Sequence, residues 1–195
     1  MQIAEEKKRV RLSKSARKRR GAVPIIDSPC HVRVGTPDDL FGILALARIV
    51  HEENGLFDFN EVKVAEAIWP TLVQANGIIG VIGERDKLEG VVMLSVASYW
   101  YSDKQFLEEK CVFVHPDYRR AKHSRVQKLI QFAKQVSTEM DMPLMIGILS
   151  NTRTSAKVAL YEQHFGKPAG AFFLWGAKTG HCDEGEDDQG VDNGV

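Results

Sequence analysis

The sequence predicts one mixed α/β domain whose sheet begins antiparallel and ends in crossovers. Three observations carry that prediction. Strand-length apolar runs alternate with stretches of helical periodicity, in the order strand, two helices, three strands, helix, strand, helix, strand. A polar tetrapeptide, Glu84-Arg85-Asp86-Lys87, joins two of the strands as a hairpin, so the sheet begins antiparallel, and the later helices make crossovers. At 195 residues the chain suits one ordinary domain with a proper core and is short for two.

The first strand is His31–Val34. Thr36-Pro37-Asp38-Asp39 then supplies an N-cap, a proline for the first helical position and early acids. The helix that follows, to about His51, places Leu40, Ile43, Leu44 and Ala47 on one face. A second helix starts near Asn60 with Val62, Val64, Ala65 and Ile68, and Pro70 should bend or end it. Ile78–Gly83 and Leu88–Ser95 are the hairpin strands, and Phe106–Val114 is a third, closed by His115-Pro116-Asp117. From about Ser124 to Met140, Val126, Leu129, Ile130, Ala133 and Val136 recur at helical spacing. Pro143–Leu149 reads as a buried strand, Thr154–His164 as a helix and Ala171–Trp175 as a last strand.

Zero net charge hides opposed ends. Residues 1–20 carry nine Lys or Arg against Glu5 and Glu6, whereas residues 181–195 carry six acids and no Lys or Arg. We expect a basic disordered arm over 1–28, the folded domain over 29–178 and an acidic disordered tail over 179–195. Cys30, Cys111 and Cys182 show no paired spacing, which suits a reducing compartment. No apolar run approaches membrane-spanning length, and the N-terminus lacks the apolar stretch of a secretory signal. A soluble cytoplasmic protein is the expectation. The six histidines lack metal-ligand spacing, so no metal is expected.

The informative segment is 108–131, where a strand ends, an Arg/Lys-rich loop follows and an amphipathic helix begins. A helix start leaves backbone N–H groups unpaired and carries partial positive charge, so a pyrophosphate fits there. Arg119, Arg120, Lys122 and Arg125 would supply counter-charge. A solvated basic loop is the competing reading.

V-H-P-D-Y-R at 114–119, followed by this loop, resembles the end of the fourth strand and the pyrophosphate loop of the GNAT acetyltransferases. The family pattern is Gln/Arg-x-x-Gly-x-Gly/Ala; here it becomes Arg119-x-x-Lys122-x-Ser124, with both glycines replaced, a degenerate form of the loop. The resemblance continues through H-V-R-V-G-T-P-D-D-L at 31–40, K-L-E-G-V-V-M-L at 87–94, Asn151, and A-L-Y-E-Q-H-F-G at 159–166. It covers roughly residues 31–176 and implies an α/β, GNAT-like fold: a mixed, mostly antiparallel twisted sheet flanked by helices, with splayed central strands.

What the resemblance implies is N-acetyl transfer from acetyl-CoA to an amine acceptor that it does not identify. Pantetheine would hydrogen-bond the backbone of Val112 and Val114, with Phe113 on the other side, and the pyrophosphate would meet Arg119, Arg120, Ala121, Lys122, His123 and Ser124. Asn151 joins this donor-binding set. Tyr161 matches the family's general acid. For a general base two glutamates compete: strict alternation groups Glu108 with Lys110, Val112 and Val114, and Glu109 with Cys111 and Phe113. Glu108 is the preferred candidate, and a water chain is a third option. His51, Glu52 and Glu53 border the family's acceptor region, and Trp100 and Tyr101 either line an acceptor pocket or cover the sheet. Cys111 reads as packed rather than nucleophilic.

A second class of function stands beside the enzyme. Loss of both loop glycines suits a non-catalytic GNAT-like binding module acting through its charged ends. Residues 7–20 would then contact nucleic-acid phosphates, although a solubility tail or pairing with the acidic tail explains the same charges. Pairing of edge strands in a homodimer is one further partner the resemblance implies.

Overall fold

The computed structural model describes residues 30–120, 123–150 and 153–175. The expectations for the arm, the tail, Cys182, Ala121, Lys122 and Asn151 lie outside these residues.

The chain opens with β1 (Arg33–Val34), and a 3-10 turn at Pro37–Asp39 leads into α1 (Leu40–Asn54). Asp39 is buried and accepts from Thr36 N–H at 2.9 Å, while Arg33 donates to both of its oxygens at 2.8 and 2.6 Å. The Arg33 guanidinium holds the Asp39 carboxyl at about 2, so the turn is locked by a charge-assisted pair. Asn60 caps α2 (Glu61–Leu72) by accepting from Lys63 N–H at 3.1 Å. Pro70 lies in its last turn, and the helix ends two residues later, because proline removes a donor from the ladder.

β2 (Gly77–Glu84) and β3 (Lys87–Ser98) form the expected hairpin, with Glu84 opposite Lys87. A bulge beside Gly83, at φ 97°, shifts their register near the turn. β4 (Gln105–Val114) runs antiparallel to β3, α3 (Arg125–Glu139) crosses over, and β5 (Leu144–Ile146) lies parallel to β4. α4 (Thr154–Phe165) follows. The sheet order is β1-β2-β3-β4-β5, mixed and mostly antiparallel, as predicted.

Two apolar clusters cover the two faces. On one face Ile43, Leu46, Val50, Ile68 and Leu72 of α1 and α2 pack on Ile79, Val81, Val91 and Met93. On the other, Leu129, Ala133 and Val136 of α3 pack on Ile82, Val92, Leu94 and Leu107. Cys111 and Phe113 of β4 join the first cluster, Val112 and Val114 the second.

Two expectations are corrected. β5 is three residues long rather than reaching Leu149. Ala171–Trp175 forms no strand: it is exposed, Phe173 at 96% and Trp175 at 99%. A run of apolar residues suggests a buried strand only if a partner edge exists, and the ladder on β5 has ended by Ile146. Gly166, Pro168 and Gly170 also break the approach from α4.

Candidate functional site

β4 holds the feature that organises the site. Met93 opposes Cys111 and Leu94 opposes Glu109, which leaves Lys110 as an extra residue without a cross-strand partner. A bulge of this kind resets the two-residue period. Leu107 and Val112 therefore share the α3 face although five residues apart. Around the bulge, Glu109 acts on Cys111 and Tyr161, whereas Glu108 pairs with Lys110.

The consequence is chemical. Glu109 is only 8% exposed and receives the phenolic O–H of Tyr161 at 3.2 Å on Oε2. Burial lifts its carboxyl to about 7, against the lowering effect of the Tyr161 hydrogen bond. Burial, and then the nearby Glu109 charge, raise the phenol of Tyr161 as well, so it stays protonated at neutral pH. Glu108, the preferred base, instead forms an ion pair with Lys110. Burial pushes the Cys111 thiol up to about 12, which leaves it a packed, protonated side chain.

Beyond Glu109 the strands part. β5 pairs with β4 only from Leu107 to Glu109, while β4 stays paired with β3 through Val114. The β5-facing edge of β4 from Lys110 to Val114 is thus outside the ladder, which leaves a strand-length slot beside it. Val112, Phe113 and Val114 all lie along it. The Val114 carbonyl accepts from Nε of Arg119 at 3.1 Å.

At the far end of the slot, Arg119 and Arg120 are exposed. Arg119 pairs with Glu53 at the C-terminal end of α1 at 2.6 Å. Beside it, Lys157 of α4 donates to Oδ1 of Asn54 at 2.7 Å. Burial, Arg119 and Arg153 together lower the Lys157 amine, so three cations face one another across this mouth. Neither Arg153 nor Lys157 was found from sequence, because their signal is convergence of α1, α4 and the loop. His123 is exposed, and Ser124 caps α3 by accepting from Gln127 N–H at 3.4 Å.

Arg125 does not serve the loop as counter-charge. It is 1% exposed, donates to Oε2 of Glu89 at 2.8 and 2.7 Å, and lies 5.4 Å from the Tyr118 ring centroid. Its Nη1 holds the His123 carbonyl at 2.7 Å. It therefore braces the loop from beneath. His51 Nε2 meets the Phe57 carbonyl at 2.6 Å, and Glu52 is exposed.

A cavity of about 900 Å³ adjoins Tyr161 between β5, α4 and residues 166–172. Tyr101 lines it, whereas Trp100 is 94% exposed. Among the described residues no three His, Cys, Asp or Glu side chains converge as metal ligands, and no helix is long and apolar enough to cross a membrane.

The sequence matches no protein-family model and no curated protein. Solved structures do match in fold. The possible acetyltransferase of Clostridium difficile 630 superposes with a TM-score of 0.59 at 15% identity, covering 76% of this chain and 97% of that one. An aminoglycoside acetyltransferase from an uncultured soil metagenomic sample gives 0.53 at 17% identity, covering 74% and 91%. The ribosomal-protein-alanine N-acetyltransferase of Brucella melitensis biovar Abortus 2308 gives 0.55 at 14%, covering 75% and 97%. The α/β architecture, with its mostly antiparallel five-stranded sheet, is GNAT-like.

Proposed function

We propose that this protein transfers an acetyl group from acetyl-CoA to an amine. The observation that carries the reading is the Tyr161–Glu109 hydrogen bond at the head of the β4–β5 splay. Acyl transfer to an amine needs a proton removed from nitrogen and one delivered to the departing thiolate. Glu109, near 7, is matched to the first task at neutral pH, and protonated Tyr161 to the second.

The steps balance through the existing hydrogen bond. Glu109 takes a proton from the amine as nitrogen attacks the thioester carbon. The carbon–sulfur bond breaks, and the thiolate takes the phenolic proton of Tyr161. Glu109 then returns its proton to Tyr161. In this reading Glu109 replaces Glu108 as the base.

For the donor, the slot along Lys110–Val114 would take the pantetheine amides, and Arg119, Arg120, Lys122, His123, Ser124 and Ala121 the phosphates. Asn151 would join this set. Arg119 is held by Glu53, and Lys122 and Ser124 stand where glycines would let phosphates approach the backbone. Those two facts support the rival reading, a binding module without catalysis.

Calorimetric titration with acetyl-CoA, repeated with Arg119→Ala, separates the two. Micromolar binding that is lost in the variant supports the transferase. No binding by the wild-type chain overturns it in favour of the module.

A further inference from the structure

We propose that the cavity beside Tyr161 is the acceptor site, and that it takes a small monoamine carried on an aromatic body. This inference rests on the acetyl-transfer reading for its chemistry and on the cavity for its ligand class. The two binding regions lie at opposite ends of β4. The cavity touches β4 at Gln105 and Phe106, at the strand's start, whereas the splayed slot runs from Lys110 to Val114 at its end. Tyr161 and its partner Glu109 lie between them. A donor entering along the slot and an amine entering through the cavity would meet at this pair.

The walls define the ligand. About 900 Å³ is the size of an ordinary small-molecule site. Tyr99, Tyr101, Phe106, Tyr161, Phe165 and Phe172 line it. Several of these hold one another in place: Tyr99 stacks on Tyr101 at 5.3 Å between centroids and contacts Phe106 at 5.0 Å, and Tyr161 stacks on Phe165 at 5.9 Å. Tyr99 is also tied to β5 through its O–H to Sδ of Met145 at 3.0 Å. A pre-arranged aromatic wall favours ring stacking and attracts a single ammonium through the ring faces.

The charges narrow the class further. Glu162 is the lining's one carboxylate among the described residues, and Lys104 and Lys167 are its cations. One ammonium can pair with Glu162. A polycation meets two like charges in a partly enclosed site and lacks carboxylates to match. Aminoglycosides are therefore poor candidates here, although one structural neighbour acts on them by its description.

Gly147 offers a direct test. A Cβ built there meets only the Phe172 ring, at 3.4 and 4.0 Å, so a side chain at this position grows into the cavity without striking backbone. The full chain is titrated calorimetrically with 2-phenylethylamine and with kanamycin, without donor, and then assayed for thiol release with acetyl-CoA. We expect 2-phenylethylamine to bind at least tenfold more tightly than kanamycin, and Gly147→Leu to weaken it at least tenfold with Tm retained. Glu162→Gln, at an exposed position, should weaken 2-phenylethylamine but leave neutral 2-phenylethanol unchanged; it decides the matter if Gly147→Leu unfolds. Equal or tighter kanamycin binding, or amine binding indifferent to both variants, overturns the inference. Amine binding without thiol release keeps the cavity assignment and overturns acetyl transfer. Thiol release with other amines, while 2-phenylethylamine fails to bind, does the reverse.

Discussion

The hydroxyl of Tyr161, on α4, donates to Oε2 of Glu109, at the β4 bulge, across 3.2 Å. This bond joins the element after the crossover to β4, and burial of the pair raises both groups, against the bond's own lowering effect on Glu109. Four predictions follow from it and from the charges around it.

The first concerns stability against pH. Glu109 is near 7 in the folded chain and ordinarily near 4.5, so the unfolded chain loses this proton first. The favourable contribution is fully present below 4.5 and is lost as pH rises through about 7, an effect of about 3 kcal/mol. Glu109→Gln should therefore melt above the wild type at pH 8 and converge with it near pH 5. Parallel Tm curves across that range would contradict the assignment.

Catalysis should follow the same group. The thiol-release rate of the wild type should climb as pH rises through about 7. Glu109→Gln should lose that limb and about 10²-fold in kcat at pH 8, with Tyr161→Phe losing a similar factor. Glu108→Gln, whose carboxylate is paired with Lys110, should stay within about twofold. Reversal of the two glutamate variants would return the base to Glu108.

At the mouth of the slot, Glu53 competes with phosphate for Arg119. Glu53→Gln should tighten acetyl-CoA binding several-fold, and Arg119→Ala should weaken it, with both effects shrinking at high salt. A Glu53→Gln variant that binds more weakly would mean that this carboxylate orients Arg119 rather than occupying it.

Beneath the loop, Arg125 and Glu89 form a buried pair. Arg125→Met removes a buried guanidinium that donates to Glu89 and to the His123 carbonyl, and should cost about 3–5 kcal/mol in denaturant unfolding. The double variant Arg125→Met with Glu89→Leu should recover most of that loss. Failure of the single variant to destabilise would contradict a bracing role for this pair.

The sequence by itself determined what is local. Thr36-Pro37 and Asn60 mark helix starts through their own capping groups, and the periodicity of Val126–Val136 selects the face of α3. Tyr161 was legible in another way, through the resemblance of A-L-Y-E-Q-H-F-G at 159–166 to the GNAT acetyltransferases. Only the tertiary structure decided which glutamate meets it. The bulge at Lys110 is a mismatch between two strands, so nothing in β4 alone shows that alternation is broken there. The same holds for Arg125, which looks like any loop cation until Glu89, 36 residues earlier, is placed beneath it. Ala171–Trp175 carries a strand's composition, yet a strand is a relation to a neighbouring edge, and β5 ends too soon to provide one. Capping and periodicity are properties of neighbours in the chain; register, burial and pairing belong to neighbours in space.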